Sequence, residues 1–437
     1  MRLAELAGRR VALAGAGLDV RAALGALEAV GPASIIVVTD DPAGASDLDL
    51  EVVTAASGDP AIGAVEVFVR SPGFGRSHPV LTAADQRGAS VTTPIDLWLG
   101  ERPPERVVVG ITGTKGKSST TTYVDRLARH IGAPVSVAGN LGPPVFDPSW
   151  DHGGPAVLEV SSYQACDLQH VPDLGVLTSL APDHLTWHGG WDRYVADKLR
   201  LFHNSGGWVE RVLVPSAEVA ALAALDAANL MAEPVEVPSG WSEQWPATPP
   251  HVLQNLALAA SITEELSGVR PQTEALDTAL VAGVGGRLEI VGVVGGCVFI
   301  DDPLASNPTA SAAALRWLRS APGVVVGGDS HGAPMTVVLV GGDDRGVEPD
   351  PLADEARRWP PGRLAAVALA VSGASLGAAM EVEIVERNVD VEEAVVAAAA
   401  HLGSKGGVVI FSPGAPTPGS ATWADRSAAF RRGVQRL

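Results

Sequence analysis

A chain of 437 residues exceeds one ordinary hydrophobic core and predicts about two to four domains. Its apolar share of 46%, with 49 Gly and 33 Pro, excludes a disordered protein and fits a turn-rich α/β one, while a net charge of −19 speaks against non-specific binding to nucleic acid or anionic membranes. Cys166 and Cys297 are too few for a disulfide framework or a paired zinc spacing, and both read as reduced core residues.

In chain order, Val11 to Ala14 reads as a buried strand, followed by a Gly15-Ala16-Gly17 turn, a helix from about Arg21 and a strand from Ser34 to Val38. This βαβ opening carries a dinucleotide-type fingerprint without its third glycine, which serves close packing as well as nucleotide binding. A strand from Val65 to Val69 delivers Ser71-Pro72-Gly73 at its C-terminal end, where open α/β sheets place ligands. Glu101 to Arg106, charged and proline-bearing, reads as a first linker.

Val107 to Thr122 is the stretch around which the chain is organised. A β-branched strand enters Thr112-Gly113-Thr114-Lys115-Gly116-Lys117-Ser118, and a threonine-rich helix leaves it. This is the build of a phosphate-binding loop: glycines let the backbone approach, the helix N-terminus faces the anion, Lys117 reaches the terminal phosphates and Ser118 holds a divalent cation. The general pattern is not met in full, because Ile111 stands where the first glycine belongs and Gly110 is one residue out of register.

Gly139-Asn140-Leu141-Gly142 then forms a glycine loop, and a strand from Ala156 to Val160 delivers Glu159 near its end, ahead of Ser161-Ser162-Tyr163-Gln164. A carboxylate there suits a nucleotide's magnesium, although strand-end glutamates are often simply solvated. A strand from Gly175 to Leu180 ends at Asp183-His184. In the helix predicted over Trp191 to Phe202, Lys198 falls within an apolar stripe of Trp191, Val195 and Phe202. A lysine on a buried face is paired, chemically altered, or snorkelling. Asn204 to Pro250 has no readable periodicity. His251 to Leu266 reads as a helix and Gly283 to Arg287 as a second linker. Beyond it come strands at Arg287 to Val294, Cys297 to Ile300, Thr336 to Val340, Ala365 to Val371 and Val408 to Phe411.

Together these residues resemble the Mur ligase family, in particular its group that joins glutamate to UDP-N-acetylmuramoyl-L-alanine. The loop Thr112 to Ser118 is similar to the family's T-G-T-x-G-K-[ST], which accounts for the absent first glycine. Gly139 to Gly142, Glu159 to Gln164, Asp183-His184-Leu185 with Trp187-His188-Gly189, Tyr194 to Lys198, Arg287-Leu288-Glu289 and Asp302 to Asn307 resemble its later motifs in order. The resemblance implies an α/β protein of three domains: a Rossmann-like domain over 1–102 for the uridine nucleotide, a central P-loop ATPase-type domain with a mostly parallel sheet over 103–284, and a Rossmann-like C-terminal domain over 285–437 for the amino acid.

It also implies residue roles. ATP would meet Gly113, Thr114, Lys115, Gly116, Lys117, Ser118, Ser119, Asn255 (at the adenine), Arg287 and Asp302. The nucleotide substrate would meet Gly17, Leu18, Asp19, Ser71, Pro72, Gly73, Asn140 and Ser161, and the amino acid Arg345, Ser412 and Thr417. Two Mg²⁺ ions would be held by Ser118, Glu159, His184 and a carbamylated Lys198, with Lys117, His184 and Lys198 as the catalytic set. The implied reaction forms an acyl phosphate in peptidoglycan precursor synthesis. A cytoplasmic monomer without nucleic-acid or membrane partners is expected.

Departures concentrate in the C-terminal part. Leu304 replaces a family lysine, Gly341-Gly342-Asp343-Asp344-Arg345 ends in arginine rather than lysine, and the loop after Ser412 carries an insertion. These features, with Lys115, look more like the variant that adds L-glutamate and hands its product to a separate epimerase. The standard D-glutamate ligase is the alternative, and a folylpolyglutamate-synthase-like ligase a more distant one. A phosphate-loop kinase, a GTPase or a non-catalytic relative would not need Lys117, Glu159, His184 and Lys198 together.

Overall fold

In the computed structural model the chain is described at all residues except 57, 141, 151–152, 247, 282, 321–331, 344–345 and 420. It separates into two compact units, one of Met1–Leu180, Trp187–Glu236 and Asn255–Leu276, the other of Ala181–Thr186, Val237–Gln254 and Asp277–Leu437.

The first unit holds two parallel sheets. In the N-terminal one the spatial order is Glu51–Thr54, Ser34–Thr39, Arg10–Ala14, Val67–Arg70 and Ser90–Thr92. Its β-branched strands are buried on both faces: Ala12, Ala14 and Phe68 pack to one side, and Val11, Leu13, Val67 and Val69 to the other. That two-sided burial is why they read as continuous apolar runs rather than as alternation. The second sheet runs Ala232–Val235, Val212–Pro215, Leu174–Leu177, Val108–Thr112, Ala156–Glu159 and Ser136–Gly139, parallel throughout. Two of these strands and the helix Val219–Ala227 lie in the stretch without readable periodicity, where Ala232–Val235 is a half-exposed edge containing Pro234.

The second unit is built on a sheet ordered Glu289–Val294, Cys297–Asp301, Gly407–Phe411, Thr336–Val340, Leu364–Leu369 and Glu383–Val389. Only the first pair is antiparallel, joined at Gly295-Gly296, both at positive φ as a two-residue hairpin requires. Alternate residues of the parallel strands again face two cores: Val338, Val340 and Ile410 meet the helix Pro308–Ser320, whereas Val337, Leu339 and Val409 meet Val391–Leu402 and Phe430. The chain is thus α/β with mostly parallel sheets, as expected. The boundaries drawn at 102/103 and 284/285 fall between elements, but the packing also places 181–186, 237–254 and 277–284 with the second unit. Among the described residues no helix is long and apolar enough to cross a membrane.

Candidate active site

The phosphate-type loop joins Val108–Thr112, buried at every position, to the helix Lys117–His130. Gly113 has φ +150, and a Cβ there would lie 2.1 Å from Thr178 Oγ1; Gly116 has φ +90, and a Cβ there would lie 2.5 Å from Asn255 Oδ1. Both positions therefore require glycine. The Thr114 and Lys115 amides donate to Ser179 O and Ser179 Oγ, each at 2.9 Å, and Thr178 Oγ1 donates to Lys115 O at 2.6 Å. The neighbouring strand end thus braces the loop. The helix starts at Gly116 without any side-chain cap, and its first turn offers amides and a positive dipole end to an anion. Ser118 is half-buried and Ser119 buried in that turn. Asn255, expected at the adenine, lies against Gly116 and accepts from Thr120 Oγ1 at 3.4 Å.

Register sets the rest beside this loop. Ile111 pairs with Glu159 on one side and with Val176 on the other, so Glu159 emerges one residue from the loop's start. Glu159 is fully buried; its Oε1 accepts from Asn140 Nδ2 at 2.7 Å, and its Oε2 has no hydrogen-bond partner. A dry carboxylate oxygen left unmatched beside a phosphate-type loop fits a hard divalent cation bound together with a hydroxyl such as that of Ser118. Among the described residues no group of three or more His, Cys, Asp or Glu could hold a metal, so an ion here would need mixed donors.

Lys198 is only 2% exposed. Its Nζ donates to Gly113 O at 2.7 Å and sits 4.7 Å from the centre of the Tyr194 ring. Lys117 Nζ reaches the same carbonyl at 2.9 Å and Thr114 O at 3.2 Å. The buried-lysine reading holds, but the face differs from the expected stripe. The helix is Trp191–Leu199 and buries Tyr194, Lys198 and Leu199, while Trp191 and Val195 are half-buried and Phe202 lies beyond its end. Tyr194 and Lys198, one turn apart, share the inward face, where the Tyr194 hydroxyl meets Thr114 Oγ1 at 2.8 Å and Lys198 Nζ meets Gly113 O.

The expected nucleotide-substrate residues also converge within this unit. Gly17 N-caps the helix Leu18–Ala29, and a Cβ on it would lie 2.3 Å from Ser71 Oγ, so the first turn and the Ser71-Pro72-Gly73 loop abut. Leu18 is 78% exposed. Asp19 accepts from Gln164 Nε2 at 2.9 Å, and burial raises its carboxyl above the usual range against that bond. Ser161 caps Ser162–Ala165 in a capping box with Gln164.

In the second unit His184 has φ +53, and its amide donates to Asp183 Oδ1 at 3.0 Å. Asp302 is buried, with Oδ2 2.9 Å from Ser412 Oγ, which lies 3.0 Å from Ser311 Oγ. Burial pushes the Asp302 carboxyl up to about 7 against the pull of Arg287. Arg287 donates to Leu304 O at 2.7 Å. Thr417 is half-buried. Arg345 lies outside the described residues, as does Leu141 of the glycine loop.

Several well-placed groups had no assigned role. His188 is held between Asp197 Oδ2 at 2.6 Å and Ser162 Oγ at 3.0 Å. Arg426, pulled down to about 10 by burial, donates to Gly341 O at 2.7 Å and stacks over Phe411. Arg70 is fully buried. The Trp187-His188-Gly189 run was a signal for the first; the arginines' partners are remote in sequence and left none.

Comparison with known proteins agrees with this layout. The Mur ligase middle domain family matches residues 111–218, from the end of the loop's strand to just past the strand Val212–Pro215. A UDP-N-acetylmuramoyl-L-alanine–L-glutamate ligase of Salinispora tropica is 32% identical over 100% of this chain and 99% of its own. One from a Micromonospora strain is 33% identical over 100% and 98%. Among solved structures, the MurF ligase of Thermotoga maritima in complex with ADP matches with a TM-score of 0.58 at 16% identity, covering 98% of this chain and 96% of that one, a likeness of fold. With identity running end to end, Glu159 at the strand end beside the loop and Lys198 bonded to the loop's Gly113, the chain belongs to the Mur ligase family.

Proposed function

We propose that the protein is an ATP-dependent ligase that joins L-glutamate to UDP-N-acetylmuramoyl-L-alanine, releasing ADP and phosphate. The observation that carries this reading is the uncapped helix start at Gly116, with Lys117 in its first turn and the orphaned Glu159 carboxylate one strand away. The reading of the substrates, L-glutamate included, is supported by the Salinispora and Micromonospora relatives, which are UDP-N-acetylmuramoyl-L-alanine–L-glutamate ligases.

A carboxylate is a poor electrophile, because its leaving group would be oxide. The substrate's terminal carboxylate therefore first attacks the γ-phosphorus of ATP, forming an acyl phosphate and ADP. The glutamate amine, as the free base, then adds to the acyl carbon and loses a proton to solvent, and phosphate departs with the electron pair of the C–O bond. Lys117 and the helix-start amides bind the β- and γ-phosphates and stabilise the charge that gathers there. Ser118 and Glu159 would hold Mg²⁺, which when bound neutralises phosphate charge. Lys198, its ammonium giving up two protons as the amine nitrogen bonds to the carbon of CO₂, would add an anionic oxygen pair beside Gly113. Asn140 orients Glu159 through its Nδ2. A product bearing L-glutamate would then need an epimerase.

The test is mass spectrometry of the purified protein with ATP, Mg²⁺, UDP-N-acetylmuramoyl-L-alanine and either enantiomer of glutamate. A glutamyl product with the L form and none with the D form is expected. Product with D-glutamate alone overturns the assignment of the amino acid, and product with neither overturns the ligase reading.

A further inference from the structure

The guanidinium of Arg70 is enclosed where the N-terminal sheet meets the strand end that bears Glu159. Arg70 closes the strand Val67–Arg70 and is fully buried. Its Nε donates to Asp167 Oδ2 at 2.6 Å, and its Nη2 to Tyr163 O and to Cys166 Sγ, the latter at 3.0 Å. Its Nη1 faces three carbonyls of the loop that follows it: Ser71 O at 3.2 Å, Pro72 O at 3.3 Å and Phe74 O at 3.0 Å. One side chain thus grips the Ser71-Pro72-Gly73 loop with one nitrogen and the 163–167 segment with the other two.

The loop's exposed chemistry follows from that grip. In a trans peptide the N–H points opposite to the C=O. With Pro72 O turned onto the guanidinium, the Gly73 N–H is aimed away from it, out of the loop. Ser71 N is spent on Ala14 O and Phe74 N on Ser71 O, and Pro72 has no N–H. Gly73 therefore carries the outward amide, on a residue that is itself exposed. The other end of the grip leads to the ligand side of the central sheet. Tyr163, Cys166 and Asp167 follow the Ser161 cap, and Gln164 of the same turn holds Asp19 of the first glycine turn. Asp167 balances two cations, because its Oδ1 also accepts from Arg76 Nε at 2.7 Å, and Arg76 in turn pairs with Asp85. A lysine could not replace this side chain: it is a point charge, whereas the bonds leave Arg70 in a fixed planar fork.

We infer that Arg70 is a positioning residue for the uridine-nucleotide substrate, setting the Gly73 amide and the Asp19 turn in fixed register with Ser161 and Glu159. The inference rests on the ligase reading proposed above and adds a residue to it. Its consequence is that binding at the N-terminal loops is transmitted to the strand end that faces ATP.

The test uses the full chain and its Arg70→Lys variant, which keeps a cation beside Asp167. Uridine 5′-diphosphate and ADP are titrated separately by calorimetry, with thermal unfolding as the measure of folding. Wild type is expected to bind both. Arg70→Lys is expected to unfold cooperatively and bind ADP within about twofold of wild type, yet lose about tenfold or more in affinity for uridine diphosphate and in KM for the nucleotide substrate, with kcat changed less. Unchanged uridine diphosphate affinity in the folded variant overturns the inference, as does an equal loss for both nucleotides, which a merely structural role would give. Should wild type bind ADP but no uridine diphosphate, the substrate reading falls and the inference with it.

Discussion

Glu159→Gln separates a metal-binding carboxylate from a merely buried one. Glutamine keeps the shape and can still accept from Asn140 Nδ2 through its amide oxygen, so the 2.7 Å contact survives. What disappears is one negative charge, fully buried, whose second oxygen has no partner. Leaving a buried polar group unsatisfied costs ~1–3 kcal/mol, and the new amide N–H₂ inherits a penalty of the same size, so the ligand-free protein should unfold within a few degrees of wild type or slightly above it. With Mg²⁺ and ATP the balance reverses, since a contact to a charged group contributes ~1.5–3 kcal/mol, about tenfold to a hundredfold in affinity. At a concentration a hundred times Kd, a ligand adds about 2.7 kcal/mol to stability; a hundredfold weaker variant retains ~0.4 kcal/mol at that concentration. Thermal unfolding with and without Mg²⁺ and a non-hydrolysable ATP analogue reads this directly. A Glu159→Gln protein stabilised by the nucleotide as strongly as wild type would refute the role, whatever its turnover.

Lys117→Met should abolish ATP-dependent phosphate release, measured by a phosphate assay, while leaving the fold intact, since the side chain is half-buried and bonds to carbonyls of its own loop. Gly113→Ala forces a Cβ to 2.1 Å from Thr178 Oγ1 at φ +150, and should cost about 3 kcal/mol or more, seen as a lowered unfolding temperature together with lost ATP binding. Asp302, pushed up to about 7, keeps its proton in the folded protein where the unfolded chain, at the ordinary 3.8, has lost it; its contribution to stability is full below that value and is lost as pH rises through 7. Asp301, raised to about 6 by burial, acts in the same direction, and His251, pulled down to about 4 by burial and by Arg287 and Arg316, opposes both up to its ordinary 6.5. Asp302→Asn should therefore flatten the decline in unfolding temperature between about pH 4 and pH 7, and an unchanged slope there would contradict the shift.

The parts of the fold legible in the sequence are those where local chemistry and tertiary demand coincide. Val108–Thr112, Thr336–Val340 and Gly407–Phe411 are buried on both faces, and only a continuous apolar run suits that place. The phosphate-type loop was legible because its glycines answer a backbone need that no other residue meets. Ala232–Val235 was not, because an edge strand with Pro234 and Glu233 exposed has no burial pattern to display. The helix Pro308–Ser320 was also missed; only its second half buries large apolar residues, Leu315, Trp317 and Leu318, while the first half buries Ser311, Ala312 and Ala314, which carry little hydrophobic signal. In the site, Glu159 and Lys198 could be singled out by position along the chain. The partners that fix them could not: Asn140 joins Glu159 across neighbouring strands, and Tyr194 and Lys198 meet Thr114 and Gly113, 80 or more residues earlier. Arg70 shows the limit most clearly, since its grip on Tyr163, Cys166 and Asp167 spans more than 90 residues of chain.

Lys198 brings the largest consequence from the smallest change. Its Nζ and that of Lys117 lie on one carbonyl oxygen, Gly113 O, at 2.7 and 2.9 Å, so two ammonium groups crowd a single acceptor in a buried place. Carbamylation replaces one of these cations by an anion and turns a repulsion into an attraction toward Lys117. Lys198→Met keeps an unbranched apolar stem and removes the amine that lies over the Tyr194 ring, so it should avoid most of the ~2–5 kcal/mol that a truncation to alanine costs in a core. Folding should persist, and turnover should fall by about a hundredfold or more if the carbamate is the working group. Bicarbonate should not rescue either Lys198→Met or Lys198→Ala, and carbon-13 bicarbonate should give a carbamate resonance in the wild-type protein that both variants lack. A folded Lys198→Met protein with full turnover would reduce the lysine to a structural cation and leave the metal role at the loop's strand end to Glu159.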